Sequence, residues 1–310
     1  MQPLRLTIAK AICRYLPPII AQRIRGLIYP IEDAINDDYK FIVTSQTGSN
    51  FKNRTSDFHG YVFCIHGYFD WRNWAVALAL CSPGDTIIEI GANVGTETVG
   101  FSDIVGPFGK VYAFEPLTSN LINLNDTIKL NQFKNVIVFP FAVSNEVKNA
   151  HFVTPINKHM SGVGHILGNG EKVLSELVEV RCISLDSIEE KIGPAKMIYM
   201  DIEGAEINAL RGARRYITKH RPYIVLEASP KLLSKQGSSI NDLFSELDCL
   251  GYTIYDIARF KLVVSKRKIF KAKNIFCVPT NSLCNINSIN NVILLAGFLP
   301  CIPRINPITR

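Results

Sequence analysis

The sequence predicts an α/β fold with helices on both faces of a mostly parallel sheet, and three stretches predict it. Thr86–Ile90 (T-I-I-E-I) is a short apolar, β-branched run, the composition of a strand buried on both faces. It runs into two glycines spaced G-x-x-x-G, Gly91 and Gly95, and then into a helical interval, Thr96–Val105. A second strand, Lys110–Phe114, is closed by Glu115, 20 positions after Gly95. Strand, Gly-rich turn, helix and carboxylate-closed strand form a nucleotide-binding βαβ half.

The turn itself narrows the ligand. A dinucleotide site needs G-x-G-x-x-G, so that amides at the helix N-terminus hold a pyrophosphate. Here the turn reads G-A-N-V-G, and Glu89 stands two residues before Gly91. A carboxylate beside the pocket repels phosphate and suits a cation. S-adenosylmethionine is one, a sulfonium with an amino-acid tail on an adenosine. Glu115 stands where an acid binds ribose hydroxyls. The competing reading is a tight βα turn with no ligand.

The chain has 310 residues, enough for one large or two small domains with a sizeable core. Eight dispersed cysteines include no C-x-x-C pair, which points to reduced thiols and a cytoplasmic protein. The net charge of +7 is uneven. Residues 1–30 hold five basic residues and residues 258–310 hold nine, with no acid in either, leaving 20 basic against 27 acidic residues between them.

Taken in order, Leu4–Tyr29 reads as two amphipathic helices broken at Pro17-Pro18, and basic residues interrupt every apolar run before signal-peptide or transmembrane length. The two readings are a helical pair packed on the domain and a peripheral contact with the inner membrane surface. Thr44–Ser56 reads as a loop, Gly60–Asp70 as strand and turn, and Trp71–Leu80 as a helix. After Glu115, a helix over 119–130 and a strand over 135–139 lead to Ala142-Val143-Ser144 at the sheet's edge, where an adenine would lie. An insertion at 150–169 carries Ser161, His159 and His165, and two histidines six apart fit no zinc spacing. A further strand, 177–183, and a short helix, 185–191, follow.

The second informative stretch is K-M-I-Y-M-D-I-E-G-A-E-I-N-A-L, residues 196–210. Met197–Met200 is an apolar strand, and Asp201, Glu203 and Glu206 crowd its carboxyl end, where open α/β sheets bind ligands. A strand over 223–226 ends in another acid, Glu227. A helix over 240–250 and strands over 252–257 and 274–278 complete the winding. The apolar run 292–299 is far shorter than the ~20 residues that cross a bilayer.

E-I-G-A-N-V-G at 89–95, A-F-E-P at 113–116, M-D-I-E-G-A-E at 200–206 and R-P-Y-I-V-L-E at 221–227 together resemble the FkbM-type methyltransferase family, over about residues 85–257. The resemblance implies a class I, Rossmann-like fold with a seven-stranded sheet. It also implies S-adenosylmethionine as donor and a hydroxyl of a sugar, glycolipid or polyketide as acceptor. Carried over by position, Glu89, Gly91, Asn93 and Gly95 line the methionine end, Glu115 the ribose and Ala142 the adenine. Asp201 faces the reacting centre, with Glu203 on the same rim. The family's lysine two places before the aspartate is replaced by Tyr199. The division expected is an N-terminal extension (1–80), a methyltransferase domain (81–280) and a tail (281–310). No metal ligand set is assigned, and a divalent ion between Asp201 and Glu227 is left open.

Other classes fit less well. An N-methyltransferase motif of the N/D-P-P-Y type is replaced by D-I-E-G, and the basic ends lack the aromatic interleaving of a nucleic-acid surface. The alternatives kept are a non-catalytic S-adenosylmethionine-binding module on the same fold and a methyltransferase acting on another, N or nucleic-acid, acceptor.

Overall fold

The computed structural model describes residues 2–155, 159–168 and 173–310. The N-terminal helices are α1 (Leu4–Cys13), α2 (Pro18–Ile28) and α3 (Ile31–Asp37), the two expected plus a short third. A hairpin follows, β1 (Lys40–Thr44) and β2 (Asn50–Arg54), where a loop was expected at 44–56. Its polar residues mislead because it packs one face only: Phe51 and Asn53 are buried while Lys52 and Arg54 are exposed.

The stretch expected as strand and turn is a helix, α4 (Phe58–His66). Asp57 caps it by accepting from the Gly60 amide at 3.0 Å, and Gly67 ends it at φ 77°. Every residue from Gly60 to His66 is buried, so no apolar–polar period marks it as a helix. Next come α5 (Trp71–Leu80), β3 (Thr86–Ile90), α6 (Thr96–Val105), β4 (Lys110–Phe114), α7 (Thr118–Asn131) and β5 (Val136–Phe139), all near the expected positions.

The chain then leaves the main sheet. β6 (Ala142–Val143), β7 (Lys148–Val153), β8 (His165–Ile166) and β9 (Leu177–Ile183) form a separate four-stranded sheet, ordered β6-β9-β7-β8. Ala142 is therefore not in the main sheet, whose edge on that side is β5. The rest of the winding is α8 (Glu189–Ile192), β10 (Met197–Met200), α9 (Glu206–Arg211), α10 (Arg214–His220) and β11 (Tyr223–Ala228). It closes with α11 (Pro230–Lys235), α12 (Ile240–Cys249), β12 (Tyr252–Ile257), β13 (Leu262–Val264), β14 (Lys273–Pro279) and α13 (Ile286–Phe298).

The main sheet runs β13-β12-β14-β11-β10-β3-β4-β5. It is the seven-stranded class I arrangement with β13, three residues long, added at one edge. Neighbours from β11 through β5 are parallel, and β14, β12 and β13 are antiparallel. One apolar cluster reaches from Leu6 in α1 to Ile308 near the C-terminus, so both ends pack on the same core as β3 and β10. All eight cysteines are free. No helix among the described residues is long and apolar enough to cross a membrane.

Candidate active site

The carboxyl ends of β3, β4, β10 and β11 surround a cavity of about 250 Å³. Its floor is sheet and turn, and its roof comes from the first turn of α4 and from Ser161–Gly164 of the insertion. These two roof segments hold each other. The Phe58 amide donates to the His159 carbonyl at 2.8 Å, and the Ser161 amide to Asp57 Oδ1 at 3.2 Å. Asp57 caps α4 with Oδ2, which leaves Oδ1 for the insertion.

The glycine turn is built by backbone contacts that exclude side chains. Gly91 has φ +90°, and a Cβ there would stand 2.0 Å from the Asp201 carbonyl oxygen. The amides of Gly91 and Ala92 both donate to the Phe114 carbonyl at 2.9 Å, tying β3's turn to the end of β4. Glu115 then holds the turn from the other side. Its Oε2 accepts from the Asn93 amide at 2.9 Å, and its Oε1 from the Leu117 amide at 2.8 Å and Asn120 Nδ2 at 3.3 Å. A carboxylate has about four acceptor positions, so three are filled by the protein. Burial still pushes the Glu115 carboxyl up to about 7.

Glu89, Gly91, Asn93, Glu115, Ala142, Asp201 and Glu203 all line the cavity. Gly95 does not. It sits behind the turn at the start of α6, where a Cβ would meet Leu124 at 2.9 Å. Phe141, Ala142, Val143 and Phe114 make an apolar end.

The opposite end is acidic. Glu89 is 1% exposed, accepts from Thr98 Oγ1 at 2.7 Å, and is pushed up to about 8 by burial, with Glu115 adding to it. Asp201, Glu203 and Glu227 offer ligand oxygens within 4.8 Å of one another. Burial is the first cause of the upward shift in all three: Asp201 to about 6, Glu203 to about 9 and Glu227 to about 8, with Asp201 raising the latter two. Glu206, also buried, braces the turn below them, its Oε1 accepting from the Gly204 amide at 3.1 Å. Divalent cations take such oxygen ligands, but three acids at the ends of two adjoining strands, β10 and β11, do not by themselves make a metal site.

His59 and Glu97 line the cavity without standing out in the sequence, where Tyr199 stands only as the replacement of the family lysine. His59 stacks on Phe69 with centroids 4.1 Å apart, and burial holds its imidazole below the usual range, hence neutral. It was hidden because α4 read as a strand. Glu97 projects from the first turn of α6, its carboxyl held well above the usual range by burial. Tyr199, in the place of the family lysine, receives a hydrogen bond from Asn73 Nδ2 at 3.2 Å, and its hydroxyl stands 3.5 Å from Asp201 Oδ2. An uncharged hydroxyl there leaves Asp201 without a cationic neighbour on that strand.

Comparison with known proteins bears on this site. The methyltransferase FkbM domain model matches residues 89–254, which hold every acid that lines the cavity. No curated protein matches the sequence. Among solved structures, the chain is similar to methyltransferase FkbM from Methylobacillus flagellatus, at 14% identity and TM-score 0.42, covering 88% of this chain and 58% of that one. It is also similar to Aeropyrum pernix fibrillarin, at 15% identity and TM-score 0.40, covering 67% and 76%. A third is an O-methyltransferase from Thermotoga maritima, at 13% and 0.37, covering 70% and 66%. Similarities at this level say nothing about the substrate.

Proposed function

The chain belongs to the FkbM family of methyltransferases, and from that premise we propose that it is an S-adenosylmethionine-dependent O-methyltransferase acting on a hydroxyl of a sugar, glycolipid or polyketide-type acceptor. The observation that carries this reading is the acidic cavity at the carboxyl ends of the parallel strands. The residues present fit the donor. Buried polar atoms on the cavity's residues, Asn93 Oδ1 and Glu97 Oε2, have no hydrogen-bond partner among the described residues. An unpaired buried polar atom costs about 1–3 kcal/mol, so a polar ligand that reaches them is stabilised there.

When bound, the donor supplies an electrophilic methyl group on a sulfonium. The chain's own residues do the rest. Glu89 and Asn93 would take the amino-acid end, the open acceptor position on Glu115 would take a ribose hydroxyl, and Ala142 with Phe141 would face the adenine. A sugar hydroxyl is a weak acid, and its proton must leave as the oxygen attacks. Asp201 is the proposed base: it stands at the end of β10 beside the Gly91 turn and lines the cavity, with the Tyr199 hydroxyl 3.5 Å from its Oδ2. Glu203 shapes the rim beside it.

Calorimetry with S-adenosylhomocysteine, then transfer of a labelled methyl group to a panel of hydroxylated glycans and polyketides, tests the proposal. Asp201→Asn should lower kcat by ~10²-fold or more with donor affinity within a few-fold. Normal turnover would remove Asp201 as base; lost donor binding would make it a donor ligand.

A further inference from the structure

The helices at the two ends of the chain carry apolar residues on both sides. α1 buries Leu6, Ala9 and Cys13 against the core, yet Leu4, Ile8 and Ile12 are 75%, 42% and 43% exposed. Their i, i+4, i+8 spacing puts them on one stripe opposite the buried face. α2 exposes Ile20 and Leu27, with exposed Arg23 between them on the same side. α13 buries Ile289, Ile293 and Ala296 and leaves Leu294, Leu295 and Phe298 in solvent. The stripes adjoin, because α2 packs against both α1 and α13, and the Cys301 amide after α13 donates to the Tyr15 carbonyl after α1 at 3.0 Å.

Soluble surfaces carry exposed apolar residues singly; aligned on adjoining helices, they mark a covered face. The charge around them selects what covers it. Arg23, Arg259, Lys261 and Arg304 are exposed, and none has an acidic partner among the described residues. Arg259 lies 5.4 Å over the ring of Phe260, which stacks on Phe298 at 4.7 Å, so this cation is joined to the apolar face itself. The two terminal segments bring 14 basic residues and no acid, and of these Arg5, Arg267 and Lys273 pair with Asp33, Asp248 and Asp256. A second copy of the chain would oppose the same uncompensated positive charge to itself. An anionic bilayer surface supplies the complement: acyl chains for the stripes and headgroup phosphates for the arginines.

We propose that the exposed face of α1, α2 and α13 is a docking surface for an anionic membrane, with the stripes lying in the interface and Arg23 and Arg304 against the headgroups. The helices are too short to span, and they bind in the plane. This inference stands on the surface of the molecule and does not rest on the donor site.

Flotation of the full chain with phosphatidylcholine vesicles, with and without phosphatidylglycerol, tests it. The protein should float with the anionic vesicles and release as salt is raised. Ile8→Glu with Ile12→Glu should weaken partitioning by ~100-fold or more. Arg23→Ser with Arg304→Ser should weaken it by about 30-fold, at roughly a fivefold loss per basic residue. Both pairs are exposed, and circular dichroism melts should match the wild type. No flotation with anionic vesicles overturns the proposal, as does flotation of the Ile8→Glu/Ile12→Glu protein like the wild type. Light scattering that shows a dimer broken by the same two changes also overturns it, in favour of a self-interface.

Discussion

Glu89→Gln should matter at high pH and hardly at all at low pH. The wild-type carboxyl is pushed up to about 8 by burial and by Glu115, so the free protein carries it protonated in neutral solution. A cationic donor favours the carboxylate. Binding below about pH 8 must therefore release a proton, and affinity falls as pH drops. At about pH 6, ionising a group with a pKa near 8 costs roughly 3 kcal/mol, two units at ~1.4 each. A charge-assisted hydrogen bond returns about 1.5–3 kcal/mol. The two cancel, so the glutamine variant should bind S-adenosylmethionine nearly as well as wild type there. At about pH 8.5 no ionisation is needed, and the variant should be weaker by ~10–100-fold. The donor's own ammonium, with a pKa of ~7.7–8.0, titrates equally in both proteins and drops out of the ratio. Calorimetry of both proteins at both pH values measures this. A ratio that does not change with pH, or no loss at pH 8.5, would refute the electrostatic reading of this end of the cavity.

Three further outcomes follow from the same geometry. Glu115→Ala should weaken S-adenosylhomocysteine by ~10–100-fold and also lower stability by about 2–4 kcal/mol, since the amides of Asn93 and Leu117 lose their acceptor; unchanged affinity in calorimetry would take Glu115 off the ribose. Gly91→Ala should lower the denaturant midpoint by the equivalent of ~2–4 kcal/mol, whereas Gly84→Ala should lose only about 1 kcal/mol. Both glycines have positive φ, but only Gly91 faces a carbonyl at 2.0 Å while Gly84 faces open space, so equal losses would contradict the close approach of turn and strand. The ligand-free protein should melt higher at about pH 6 than at about pH 9, because Glu203 at about 9 and Glu227 at about 8 bind protons in the fold that unfolded glutamates lose near ~4.3; stability from these groups is complete below the unfolded value and is lost as pH rises through the folded ones, and a flat profile across that window would mean the acids are not desolvated.

What could be read from the sequence was whatever a strand end announces locally. Thr86–Ile90 and Met197–Met200 are apolar because both faces of the sheet are covered, and the acids after them stand out against that background. The position of the candidate site residues was legible for this reason: seven of the eight line the cavity, and Gly95 stands one layer behind. The roof was not. Gly60–His66 is buried on every side, so its helix has no polar face to betray a period, and His59 in its first turn was invisible with it. The hairpin at Lys40–Arg54 failed for the opposite reason, since polar residues fill one of its faces and its turn. Both misreadings fall in the segment that meets the insertion over the cavity, outside the family match at 89–254. The division is physical. Binding a common donor fixes residues at the ends of parallel strands, and those leave a local pattern. The roof laid across those strand ends is held by a contact between Asp57 and Ser161, 104 residues apart, that no local pattern records.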